Sequence, residues 1–209
     1  MVMNAVINAD KVCSILWGVF TLVWVVAWLW SKRTKQRAPL TSRLLYSFPV
    51  ALGAYLMVND NLPSWVRWRL IRDTPSIHIL AVLLTAVGIG FAIWARFYLG
   101  DNWSGAVSIK VAHQLVRTGP YTWVRHPIYS GILVAVFGTS LLKGKVGGAL
   151  AIALFWLGFW IKSRMEERFM VTTFGDEYVE YRRQTGRSFP SFGLSHCQGR
   201  EFRGALQLP

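Results

Sequence analysis

Residues 12–31 form an uncharged apolar run, and residues 74–95 form a second that only His78 interrupts. Each is long enough to carry a helix across a hydrocarbon core of about 30 Å, at about 1.5 Å per residue. Three shorter apolar runs, 44–58, 128–142 and 146–161, follow the same logic, with tilt or snorkelling flanks making up the length. The pattern predicts an all-α integral membrane protein with about five transmembrane helices. Only Lys143-Gly144-Lys145 separates the last two runs, so they form a tight helical hairpin near the C-terminal end. No proline or glycine stands between Gly158 and Gly175, which carries the fifth helix past the membrane to about Thr173. Residues 63–73 (PSWVRWRLIRD) alternate tryptophan and arginine and are expected to lie along the outer membrane interface. Val107, Ile109 and Val111 give a brief strand-like alternation. From Ser188 onward the chain is rich in glycine and serine and aperiodic, a loosely ordered tail. There is no internal repeat.

Composition sharpens this picture. Apolar residues make up 53% and charged residues only 16%, well below the roughly 25% of soluble domains. Many of the 11 tryptophans flank the apolar runs, as interfacial anchors do. A net charge of +13 on a soluble chain would suggest nucleic acid, but its distribution points to membrane lipids instead. Seventeen of the lysines and arginines fall in the loop after the first run, the segment after the third and the tail after the fifth; six fall on the other side. The N-terminus is therefore expected outside and the C-terminus in the cytosol, in a bacterial inner membrane or the endoplasmic reticulum. The first run lacks a small-x-small cleavage site and reads as an uncleaved helix, and the terminal Leu-Gln-Leu-Pro is no prenylation signal. Cys13 and Cys197 support neither a zinc site nor a disulfide framework, and the four histidines show no metal-ligand spacing.

The cytosolic side gathers nearly all the polar complexity. Pro127 suits the first turn of the fourth helix, which places Arg125 and His126 at a helix start, where unpaired N–H groups and the dipole favour an anion. On the extension of the fifth helix, Lys162, Glu166 and Met170 share one face, with Glu167 beside Ser163 on the next. A basic helix start opposite an acidic helix end suits a zwitterion, and Tyr121 or Tyr129 could face a cation. The bland alternatives are an exposed Lys162–Glu166 pair, a capping His126 and an Arg125 that merely follows the charge bias. Gly88-Ile89-Gly90 lacks the strand and turn of a dinucleotide fingerprint, and no serine sits in a nucleophile elbow.

The string HQLVRTGPYTWVRHPIYSG, a helical hairpin, the pair Glu166-Glu167 and then FGDEYVEYRR occur in that order. Together they resemble the isoprenylcysteine carboxyl methyltransferase family, which is related to membrane phospholipid methyltransferases. The similarity covers roughly residues 96–190; the first three spans match in hydrophobicity alone. It divides the chain into three N-terminal helices with a basic cytosolic loop (1–95), a methyltransferase-like catalytic region with a cytosolic cofactor-binding segment (96–190), and the tail (191–209). The resemblance implies S-adenosyl-L-methionine as cofactor, bound by His113, Gln114, Leu115, Val116, Tyr121, His126, Pro127, Ile128, Tyr129 and Glu166, and the helix-start chemistry adds Arg125. It implies a lipophilic small-molecule or lipid-modified substrate. Eukaryotic members carry an arginine one turn before the acid, facing the substrate; here that position is Lys162, which keeps the charge and loses the bidentate fork, and Arg164 is the candidate to compensate.

Direct in-line transfer to a carboxylate needs no general base, because its pKa lies far below 7; a protonated amine would need one. This favours O- or S-methylation over phospholipid N-methylation. Two readings of other classes stand beside it: an NADPH-dependent membrane reductase, and a non-catalytic membrane subunit or carrier. Against transport, no apolar run contains Asp, Glu, Lys or Arg.

Overall fold

The computed structural model describes residues 2–29, 34–37, 39–100, 103, 108–110 and 115–187; the tail expected over 191–209 lies outside them. Among the described residues, six α-helices run in chain order: α1 (Val2–Leu29), α2 (Leu40–Val58), α3 (Pro75–Leu99), α4 (Pro127–Lys143), α5 (Val146–Phe174) and α6 (Asp176–Gln184). Two short strands, β1 (Thr34–Arg37) and β2 (Ser108–Lys110), pair antiparallel. The strand-like alternation around Ile109 thus finds a partner in the basic loop after α1.

The first five helices stand at the five expected spans. The stretch Asn8–Leu29, α3 and α5, at 22, 25 and 29 residues, are long and apolar enough to cross a membrane, and α4 is a shorter apolar helix. The protein is a multi-pass membrane protein. α2 begins four residues earlier than its apolar run and contains Pro49. α5 runs to Phe174, as the lack of helix breakers implies, and Gly175 (φ 55°) ends it in a conformation that only glycine adopts without strain. Thr74 caps α3 by accepting from the Ile77 amide, with Pro75 in the first turn.

Small residues set the packing. α3 lies on α4 with backbones in contact: a Cβ on Gly88 would stand 2.4 Å from the Ala135 nitrogen, and one on Gly131 2.6 Å from the Gly88 carbonyl oxygen. Ala81, Ala92 and Ala135 are wholly buried along this seam. Where lipid surrounds the bundle there is little hydrophobic gain from bringing helices together, so close van der Waals contact and hydrogen bonds hold them. The Trp17 indole of α1 donates to Thr139 Oγ1 at 3.0 Å, and Thr139 Oγ1 lies 3.3 Å from Thr85 Oγ1, tying α1, α3 and α4 together. α2 packs against α5 in the same way, with Gly53 under Phe155 and Gly158 under Val50. The arginine–tryptophan stretch is a ledge pinned to the α4–α5 turn at the end of the bundle where α3 starts. His78 is buried there in contact with Asp73, a structural role.

Candidate functional site

α4 starts and α5 extends at the same end of the bundle, and the segment before α4 brings the polar residues between them. Gly119 (φ 60°) makes the tight approach, because a Cβ there would strike the Tyr98 ring at 2.4 Å. A 3-10 turn follows over Gly119–Thr122. It buries Tyr121, whose backbone carbonyl accepts a 2.7 Å bond from the Tyr181 hydroxyl of α6. Burial first, and the neighbouring Tyr181 second, push the Tyr121 hydroxyl far above its usual range, so it stays protonated. Burial likewise raises Tyr181 to about 12, which keeps it a donor to Tyr121.

After α6 the chain folds back along this segment. The Arg125 amide donates to the Gly186 carbonyl at 2.8 Å and the His126 amide to the Arg187 carbonyl at 3.0 Å. His126 stands at the N-cap of α4, but its side chain makes no cap bond. Pro127 follows in the first turn, as the sequence implies.

Two acids organise what converges here. Glu167, almost wholly buried, accepts from Arg125 Nε at 3.1 Å and from Arg187 Nε and Nη2 at 3.1 and 2.9 Å. Arg125 also donates from Nη1 to the carbonyl oxygens of Arg182, in the last turn of α6, and Thr185, just after it. Through Nε and Nη1, the Arg125 side chain clamps α6 and the returning segment to α5. Glu166 lies one residue away on the other side: the Tyr129 hydroxyl is 2.7 and 2.8 Å from its two oxygens, and His126 Nδ1 is 3.6 Å from Oε2. Tyr129 is stacked between the rings of His126 and Phe159, with centroids 5.4 and 4.8 Å apart. His126 Nε2 is buried 3.4 Å from Glu167 Oε1, yet out of hydrogen-bond alignment with it.

The Lys162 ammonium sits 5.2 Å from the ring centroid of Tyr129 and 5.5 Å from that of Tyr46 on α2, one turn before Glu166. Arg164 points elsewhere. It is exposed and its guanidinium lies 5.0 Å from the Trp160 ring centroid on the outer surface of α5, so it does not join Lys162. Val116, Tyr121 and Ile128 pack in one apolar cluster with Trp24, Trp103 and Tyr129, beside a half-buried Leu115. The structure therefore brings together Tyr121, Arg125, His126, Pro127, Ile128, Tyr129, Lys162 and Glu166. His113 and Gln114 lie outside the described residues. Sequence reasoning missed Arg187 and Tyr46 as members and left Glu167 without partners. Arg187 carried no signal beyond its charge, and Tyr46 read as one more apolar-run residue.

Residues 76–177 match the family of phospholipid methyltransferases. The chain is 33% identical to protein-S-isoprenylcysteine O-methyltransferase of Saccharomyces cerevisiae, over 54% of this chain and 48% of that protein. It is 37% identical to the protein of the same name from Schizosaccharomyces pombe, over 46% of this chain and 42% of that one. A cobalt-zinc-cadmium resistance protein of Cupriavidus metallidurans is 30% identical over 57% of this chain and 50% of its own length. The chain thus spans about half the length of these relatives, and the family match over 76–177 holds α3 from its second residue, α4, α5 and the two acids.

Proposed function

We propose that this protein, whose residues 76–177 match the phospholipid methyltransferase family and which is similar to isoprenylcysteine methyltransferases, transfers a methyl group from S-adenosyl-L-methionine to a lipophilic acceptor at the cytosolic membrane boundary. The observation that carries the reading is the convergence of Tyr129 and His126, at the start of α4, on Glu166 of α5, at 2.7 and 3.6 Å. The residues suit the donor. Glu166 offers a carboxylate to an α-ammonium. The buried His126 Nε2 makes no aligned hydrogen bond, and a ring N–H there could turn to a ligand carboxylate. The faces of Tyr121 and Tyr129 would accommodate a sulfonium. When bound, S-adenosyl-L-methionine supplies an electrophilic methyl carbon attached to a positive sulfur.

The chain's own part is to hold, to orient and to keep water out. Tyr129, locked between two rings, fixes Glu166 through its hydroxyl. Glu167, Arg125 and Arg187 fasten α6 and the segment after it across the start of α4. Lys162 places a positive charge one turn from Glu166, where an anionic acceptor such as a carboxylate or thiolate would gain from it. Such an acceptor needs no general base, and removing water strengthens each of these contacts. The most economical acceptor is an isoprenylcysteine carboxylate. The excess of lysine and arginine on this side supports a cytosolic placement of this end of the bundle.

The test is transfer of radiolabelled methyl from S-adenosyl-L-methionine by the protein in detergent or vesicles, offered N-acetyl-farnesylcysteine, phosphatidylethanolamine or a long-chain thiol. Base-labile label on the farnesylcysteine is expected. Label on the amine lipid alone would shift the reading to N-methylation, and label on none of them would remove it.

A further inference from the structure

At the opposite end of the bundle, the stretch Pro63–Ile71 is not a loose loop. The Leu70 and Ile71 amides donate to the Gly144 carbonyl at 2.8 and 3.2 Å; the Val146 and Gly147 amides donate back to the carbonyls of Trp68 and Val66 at 3.0 and 2.9 Å. Val66 is buried beneath this ladder. Gly144 (φ 59°) closes the turn that receives it. The pinned backbone presents Trp65, Trp68 and Leu70 outward, 60%, 72% and 60% exposed, interleaved with Arg67, Arg69 and Arg72.

The charges at this end do not cancel. Its acids are Asp10, Asp60 and Asp73, and each faces a cation: Lys143 to Asp10 at 3.3 Å, Lys145 to Asp60 at 3.5 Å and Arg69 to Asp73 at 3.4 Å. Asp73 also meets His78. Among the described residues, Arg67 and Arg72 have no carboxylate within ion-pair distance, and both are exposed. Two unpaired guanidinium groups beside exposed tryptophans, at the level where α3 and α5 leave the apolar layer, match one chemistry. Guanidinium binds phosphate oxygens through paired N–H groups, and tryptophan favours the headgroup layer.

We propose that the Trp65–Arg72 ledge is a binding surface for the phosphate of an anionic phospholipid in the leaflet opposite the Glu166–Glu167 cluster. Arg67 and Arg72 hold the phosphate, and Trp65, Trp68 and Leu70 seat in the interface beside it. The backbone ladder orders the ledge in advance, so little conformational freedom is lost when a lipid binds. This contact stands whether or not the other end transfers methyl groups.

The test must report this face alone, since the basic segments of the other face also attract anionic lipid. Leu70→Cys in a Cys197→Ser background, with Cys13 buried, accepts a bimane label, and brominated lipids quench it on contact. In vesicles of phosphatidylcholine with a brominated minority lipid, brominated phosphatidylglycerol is expected to outcompete brominated phosphatidylcholine about tenfold, as two arginines near a headgroup allow. Arg67→Gln with Arg72→Gln should abolish the preference, and lysine at both positions should restore part of it. Equal quenching by the two lipids, quenching by neither, or a preference that survives the glutamine pair would each overturn the proposal.

Discussion

The α3–α4 seam and the cluster where α4 meets the end of α5 share one helix and are held by opposite means. Along the seam, Gly88, Gly131 and Gly138 let backbones touch, and the hydroxyls of Thr85 and Thr139 meet one another, helix carbonyls and the Trp17 indole of α1. Nothing there carries charge. At the N-terminal end of the same helix, two carboxylates, two arginines, a histidine and a lysine crowd together with most of their surface buried. The seam fixes where the start of α4 lies and cannot respond to a ligand. The cluster is held by charge and can exchange one partner for another. A rigid seam beneath a polar end is a sound way to present a charged ligand site at a membrane boundary, because desolvated charges need fixed geometry to be worth their burial.

The largest effect should come from breaking the seam. Gly131→Leu would drive a side chain into α3, where even a Cβ stands 2.6 Å from the Gly88 carbonyl oxygen and 2.7 Å from the Ala92 nitrogen. Loss of the monodisperse folded species in detergent size-exclusion is expected; a stable variant would show that the seam is loose. Next is Glu167→Gln, which leaves Arg125 and Arg187 without their carboxylate and should cost about 3–5 kcal/mol of stability, as removing one partner of a buried ionic group does. Thermal unfolding in detergent measures it, and an unchanged midpoint would mean that α6 is held without this acid. Glu166→Gln tests the other acid of the pair: it should leave the midpoint within a degree or two while weakening ligand binding. The smallest effect is Arg164→Gln. With its guanidinium on the exposed face of Trp160, it should change stability by about 0.5 kcal/mol or less and leave methyl transfer intact; a large loss of transfer would put Arg164 back beside the acceptor.

The helices were legible because bilayer crossing leaves long apolar runs that need no partner to be recognised. Their ends were legible too where glycine or proline stood, as at Pro127, Gly144 and Gly175. α2 was harder, since Arg43, Tyr46 and Pro49 interrupt its apolar character, and its run marked only the part after Arg43. At the site, His126, Tyr129 and Glu166 could be read because each has a local cue: a helix start, a motif, an i, i+4 face. Arg187 could not, because its partner Glu167 is 20 residues away across α6, and nothing local distinguishes it from the other basic residues of the tail. Arg125 shows the converse case. Its place at a helix start suggested anion binding, while its side chain is directed to carbonyls and Glu167, contacts visible only once α6 is folded back.

The central claim is that the start of α4 and the extension of α5 close on one zwitterionic ligand, and titration calorimetry with S-adenosylhomocysteine on the detergent-purified protein tests it most directly. Saturable binding is expected, weakened about tenfold in Glu166→Gln, the loss of one charged hydrogen bond of about 1.5–3 kcal/mol. No heat of binding at millimolar ligand, or equal affinity in the wild type and the variant, would contradict it.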